Sequence, residues 1–161
     1  MKYILTEETK QYFEITLYRI KALKSFDGVN KGDLGGFVES ENNLSQEGNS
    51  WIFDNAMVSG NSQIYGNARI KNNAQISDNA RIKNNARISG NAKVFGNSFV
   101  SDLAQISDNA EIFGNVQILG QTIIYGSPKI FDNAILIGQT TVSGDVWISG
   151  DGTIQNGNIR D

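Results

Sequence analysis

From Ile52 onward an aliphatic residue stands at every sixth position: Val58, Ile64, Ile70, Ile76, Ile82, Ile88, Val94, Val100, Ile106, Ile112, Ile118, Ile124, Ile130, Leu136, Val142, Ile148 and Ile154 follow without an exception. Two residues before most of them lies a small residue, as at Ala68, Ala74, Ala80, Ala86, Ala92, Ala104 and Ala110. Between the two comes a turn pair such as Gly60-Asn61, Gly66-Asn67, Asp78-Asn79, Gly90-Asn91 or Gly96-Asn97. A period of six does not match the 3.6 residues of an α-helix, and a hairpin meander needs longer strands between its turns. Ala-x-Ile-x reads as a short strand whose small and aliphatic residues face inward while the two x residues face out. The turn pair reverses the chain because Gly and Asn accept positive φ. Nineteen Asn and seventeen Gly against one Pro agree with turns at regular spacing. Three strands and three turns make a triangular coil of eighteen residues, and the eighteen repeats predict six coils. At roughly 4.8 Å per coil the prism stands about 29 Å tall.

The motif Ile88-Ser-Gly-Asn-Ala92-Lys resembles the hexapeptide-repeat proteins, in which an aliphatic residue recurs every sixth position with a small residue four later. The resemblance implies an all-β, single-stranded, left-handed parallel β-helix; periodicity alone does not set the hand. Gly32-Asp-Leu-Gly-Gly-Phe-Val-Glu-Ser, Asn43-Leu-Ser-Gln-Glu-Gly and Trp51-Ile-Phe are similar to the N-terminal segment of a bacterial and phage β-helix family commonly labelled as acyltransferases or polymer-forming proteins. Such a repeat is specific for fold and poor for function.

Residues 1–50 break the period and read as a small β cap, leaving 51–161 to the β-helix. Tyr12-Phe-Glu-Ile-Thr-Leu-Tyr-Arg-Ile alternates as a strand does, with Lys2-Tyr-Ile-Leu as its expected partner. A cap is needed because an open β-helix end invites pairing with other chains.

Hexapeptide acyltransferases generally use a histidine base, which titrates near neutrality and takes a proton from the acceptor. This chain has no histidine and no cysteine, so it offers neither that base nor a thiolate nucleophile. It also lacks the family's long loop insertions. The expectation is a non-catalytic protein without metal or cofactor. The turn aspartates Asp54, Asp78, Asp102, Asp108 and Asp132 do not stack on adjacent coils, and a metal needs clustered ligands. Net charge is −3, which does not favour nucleic acid. No apolar run is long enough to span a membrane, the N-terminus lacks the apolar core of a leader, and a cytoplasmic location is expected.

Folding the chain at eighteen residues gives three outward faces. Arg69, Lys71 and Arg87 share one, Arg81 and Lys83 another, and Lys93 lies on the third. Residues 67–93 hold these six cations against Asp78 alone, which suggests a site for an anion or an acidic protein partner, or simply a solvated face. Phe95, Phe113, Phe131 and Trp147 form one apolar strip, and Phe99, Leu119, Ile135 and Ile137 a second. Apolar strips at outward positions suggest a homo-oligomer, dimer or trimer, although like residues on adjacent strands also stabilise a single chain. The leading expectation is a binding protein on a rigid prism. The phage resemblance implies one version of it, an inhibitor of a host defence complex in the manner of anti-CRISPR proteins. The alternatives are an acyltransferase relic, or an enzyme of that superfamily using a carboxylate base, and a self-assembling structural protein.

Overall fold

Three parallel sheets run the length of the prism, and the chain contributes one short strand to each in turn. The computed structural model describes all of residues 1–161. The sheets contain nine, seven and six strands; successive parallel strands come from successive coils, and the nine-stranded sheet is extended at one end by the antiparallel hairpin of residues 3–22. In one, Trp51 pairs with Arg69, Arg69 with Arg87, Arg87 with Gln105, Gln105 with Ile123 and Ile123 with Thr141. The result is an all-β parallel solenoid of about seven turns.

The repeating strand is two residues long, as at Arg69–Ile70, rather than the four that Ala-x-Ile-x suggests. The small residue explains the difference. Its carbonyl joins the ladder, with Trp51 N–H donating to the Ala68 oxygen at 3.0 Å. Its own N–H turns back to the carbonyl three residues earlier, as Ala74 does to Lys71 at 3.2 Å. The small residue therefore closes the corner. That N–H makes only long bonds, so Pro128 can occupy such a position while its carbonyl still accepts from Glu111 N–H at 2.9 Å.

The inward columns form one continuous core. Aliphatic residues from Ile52 to Val142 and the alanines beneath the corners are buried. Ser62, Ser98, Thr122 and Thr140 occupy small-residue positions in that core and are also buried. Each hydroxyl donates to the carbonyl three residues back: Ser59, Phe95, Leu119 and Ile137, at 2.5, 2.7, 2.6 and 2.8 Å. The local bond removes the cost of burying an unpaired hydroxyl.

Each corner places its first turn residue at positive φ, every six residues from Asp54 to Asn156. Only Gly, Asn and Asp occupy these positions, the residues that tolerate this conformation best. At Gly96 a Cβ would also lie 2.8 Å from both the N and the O of Gly114 on the next coil. The five turn aspartates each accept a backbone N–H one coil further on. Asp78, Asp102, Asp108 and Asp132 bond Gly96, Gly120, Gly126 and Gly150 at 3.0, 2.9, 2.9 and 3.1 Å, and Asp54 bonds Asn72 at 2.9 Å. These carboxylates tie coil to coil.

The N-terminal segment contains β1 (Tyr3–Tyr12), β2 (Ile15–Ala22) and β3 (Leu34–Val38). The strand expected from Tyr12 to Ile20 starts instead at Ile15. Phe13 and Glu14 make a two-residue turn, closed by Tyr12 pairing with Ile15. Tertiary contacts hold this turn without a glycine: the Tyr12 hydroxyl donates to the Gln75 amide oxygen at 2.8 Å, and Tyr12 and Ile15 pack on Leu17, Phe37 and Met57. β3 pairs in parallel with Met57–Val58, and Leu44 bridges to Ile64. The solenoid thus begins before residue 51: the stretch from β3 to Ser50, read from the sequence as cap, lays down a further turn in register with the rest.

Above that turn, Tyr3 and Phe26 meet Trp51 edge-on at 6.2 and 5.5 Å. Trp51 stands at an outward position, yet the cap covers it completely. Lys2 is also buried, its ammonium donating to the Ser50 carbonyl at 2.9 Å and the Glu47 carbonyl at 3.3 Å. Burial, with help from Lys24 and Arg69, lowers its pKa to about 8. Burial raises the Tyr3 phenol, whose hydroxyl donates to the Leu44 carbonyl at 2.7 Å.

Candidate binding face

The six cations of the basic stretch project from three different sheets, as their spacing predicts, and most of them are already engaged within the chain. Arg69 is held by Asp27 of the cap, through both its carbonyl and its carboxylate. Arg69 and Lys71 lie over the Phe53 ring at 5.3 and 4.9 Å. Arg81 and Lys83 flank Phe99 in the same way, at 5.6 and 4.9 Å. Lys93 pairs with Glu111 at 3.8 Å. Arg87 takes part in none of the chain's four ion pairs and lies over no ring. The basic stretch is therefore not one site. It reduces to an exposed Arg87 with Lys71 one coil above.

The seven-stranded face around Arg87 is hollow. Three adjoining open depressions of about 570, 470 and 360 Å³ lie on it, and Arg87 lines all three. The uppermost is bounded by Asp27, so the cap forms its upper wall. Further down, amides and hydroxyls dominate: Asn85, Gln105, Gln121, Gln139 and Thr141. The trough arises from residue size, because Ser89 and Ser107 are short between the longer Lys71 and Tyr125.

Three apolar side chains interrupt this polar lining. Leu103, Ile123 and Tyr125 are 49%, 41% and 44% exposed. The sequence reading did not single them out, but a signal existed. Leu103 stands in a corner column otherwise occupied by Asn67, Asn85, Gln121 and Gln139. In that column Asn67 bonds Asn85 at 3.2 Å, and Leu103 then breaks the amide chain.

The two strips proposed for an oligomer are largely packed within the chain. Phe95, Phe113 and Phe131 are half-buried and stack with centroids 5.1 Å apart and planes within 7°. Beside them Glu111 bridges Lys93 and Lys129, the latter at 3.3 Å. Trp147 meets Phe131 edge-on at 6.3 Å and is 71% exposed. Phe99 is half-buried beside Arg81 and Lys83, and Leu119, Ile135 and Ile137 are half-buried as well.

Fold and face together define a parallel β-solenoid repeat protein with one hollowed, polar sheet face. A family model described as the YdcK beta solenoid repeat matches residues 74–87, a stretch shorter than one eighteen-residue coil. No curated protein sequence matches the chain.

Proposed function

We propose that this solenoid is a non-catalytic binding protein that recognises an anionic partner on its seven-stranded face. The observation that carries this reading is Arg87, an exposed guanidinium lining three adjoining depressions with no acid paired to it. A surface cation without an internal partner has its full attraction available to a ligand. The absence of histidine removes the usual proton acceptor of the hexapeptide enzymes and favours binding over turnover. The narrower role as an inhibitor of a host defence complex draws on the sequence resemblance alone.

The test is retention on immobilised poly-L-glutamate at low salt. A chain of net charge −3 is held there only by a local patch. Retention should vanish in Arg87→Glu and persist in the double variant Arg81→Glu, Lys83→Glu, which alters another face. Equal loss in both variants, or no retention of the parent chain, would overturn the assignment.

A further inference from the structure

Building on the anionic-partner reading, we infer that the seven-stranded face binds a linear acidic glycan, with Arg87 on a carboxylate of the chain and Tyr125 stacking against a sugar ring. Three observations converge on this ligand chemistry.

The first is shape. The depressions run from the Asn67–Arg69 level to the Gln139–Thr141 level. That is four coil spacings, or roughly 19 Å along the prism axis. The trough is open and shallow, which suits an extended polymer lying along it rather than an enclosed small molecule.

The second is the lining. Amides and hydroxyls that can donate and accept are spaced down the trough, as a ligand rich in hydroxyl groups requires. Leu103, Ile123 and Tyr125 add an exposed apolar patch among them. A sugar ring presents both chemistries, hydroxyls at its edge and C–H groups on its face. Leu103 breaks an amide column of the kind that runs unbroken from Asn61 to Asn133 at another corner, so its presence sacrifices a coil-to-coil bond at the trough's edge.

The third is charge. Arg87 supplies one fixed cation with Lys71 beside it, while Arg69 is already neutralised by Asp27. Two acids line the trough: Asp27 is paired with Arg69, and Asp108 accepts the Gly126 N–H at 2.9 Å. One or two free cations set among amides and hydroxyls suit a ligand held by its hydroxyl groups as well as by its charge, whereas nucleic-acid binding is carried by many phosphate contacts.

An acidic peptide fits less well. The trough lies on a sheet face whose backbone groups are all committed to the ladders, so a peptide cannot add as a strand.

The experiment is calorimetric titration of the full chain with oligogalacturonate, cellohexaose, poly-L-glutamate and single-stranded DNA. Oligogalacturonate should bind, and bind more tightly than the other three. Tyr125→Ala should weaken it about tenfold while leaving poly-L-glutamate unaffected. Arg87→Gln should weaken both, with melting temperatures unchanged. Preference for poly-L-glutamate or DNA over the glycan overturns this inference and leaves the anionic-partner reading standing. Binding of cellohexaose as tight as oligogalacturonate, or an unaffected Tyr125→Ala, also overturns it. Silence towards all three polyanions removes both.

Discussion

The Asn133 side-chain amide donates to the Asp151 carboxylate at 2.6 Å and so completes a column of side chains stacked through six coils. Above it, Asn61, Asn79, Asn97 and Asn115 each donate to the amide oxygen one coil on, at 3.3, 3.1, 3.0 and 2.8 Å. The column is exposed, but every member between Asn61 and Asp151 both gives and receives within it. Stacked amide ladders of this kind are a known source of stability between in-register strands.

Asn115→Ala removes two links of that column and is expected to cost about 1 kcal/mol, with Asn85→Ala, which removes the one amide link of the corner column that Leu103 breaks, costing about half as much. Urea unfolding midpoints of the two variants check the ratio. Equal midpoints in both variants and the parent would show that the column contributes nothing.

The corner aspartates combine an unusual backbone conformation with an inter-coil bond. At Asp78, φ is 60° and the carboxylate accepts the Gly96 N–H at 3.0 Å. Asp78→Asn keeps both features and should stay within about 0.5 kcal/mol of the parent. Asp78→Gly loses the bond but relieves the backbone. Asp78→Ala loses the bond and keeps the strain, so it should be the least stable by about 2 kcal/mol. The order Asn, Gly, Ala in melting temperature is the check.

Cap stability should rise and then fall with alkaline pH. Lys2 has its pKa lowered to about 8 from the ordinary 10.5, so between those values the unfolded chain holds a proton that the folded chain has released. Stability from this group therefore increases with pH across that window. Tyr3 is raised from the ordinary 10.0, so above that value the folded chain retains a proton that the unfolded one loses, and stability falls. Unfolding followed by Trp51 fluorescence in a Trp147→Phe background between pH 7 and 11 should lose its rising limb in Lys2→Met and its falling limb in Tyr3→Phe. A parent curve that declines steadily from pH 7 would contradict the Lys2 assignment.

Asp102 titrates in the opposite region. Its carboxyl is held below the ordinary 3.8, first by the Gly120 N–H and then by Asn84, Ser101 and Lys83. A depressed carboxylate contributes stability above its unfolded value and loses it as pH falls through the folded one. Asp102→Asn should therefore flatten the acid limb of the stability curve below pH 3.8 by lowering the neutral plateau, with the variant and parent curves converging in acid.

Self-association, if it uses the aromatic strip, has to run through Trp147, because the three phenylalanines above it are consumed in their own stack. Light scattering on Trp147→Glu should then report the single-chain mass where the parent reports a dimer or trimer. A parent that already runs as one chain dismisses the oligomer.

Much of this architecture could be read directly. Ile52 to Ile154 mark the interior, the small residues mark where coils crowd, and the Gly-Asn pairs mark corners, because all three recur with the geometry they serve. What stayed hidden lies off the period. Asp27 captures Arg69 from forty-two positions away, and nothing in the local sequence announces the pairing. Trp51 looked solvent-facing until Phe26 folded over it. The spacing divided the cations among three walls but did not show which are already paired, Arg69 by Asp27 and Lys93 by Glu111. Leu103 was visible as an oddity in an amide column, but its importance depends on the hollow beside it.

A period of eighteen has a consequence for how such a chain can change length. Deleting or duplicating one whole coil returns Ile over Ile and Asn over Asn, so growth by that increment leaves each wall intact. An increment of six or twelve keeps the aliphatic residues inward but moves each following strand to another wall, and an increment that is not a multiple of six turns the oily columns toward water. The step from Ile154 to Ile159 is five residues, and the strand Asn158–Ile159 still pairs in register with Thr141–Val142 at the edge of its sheet.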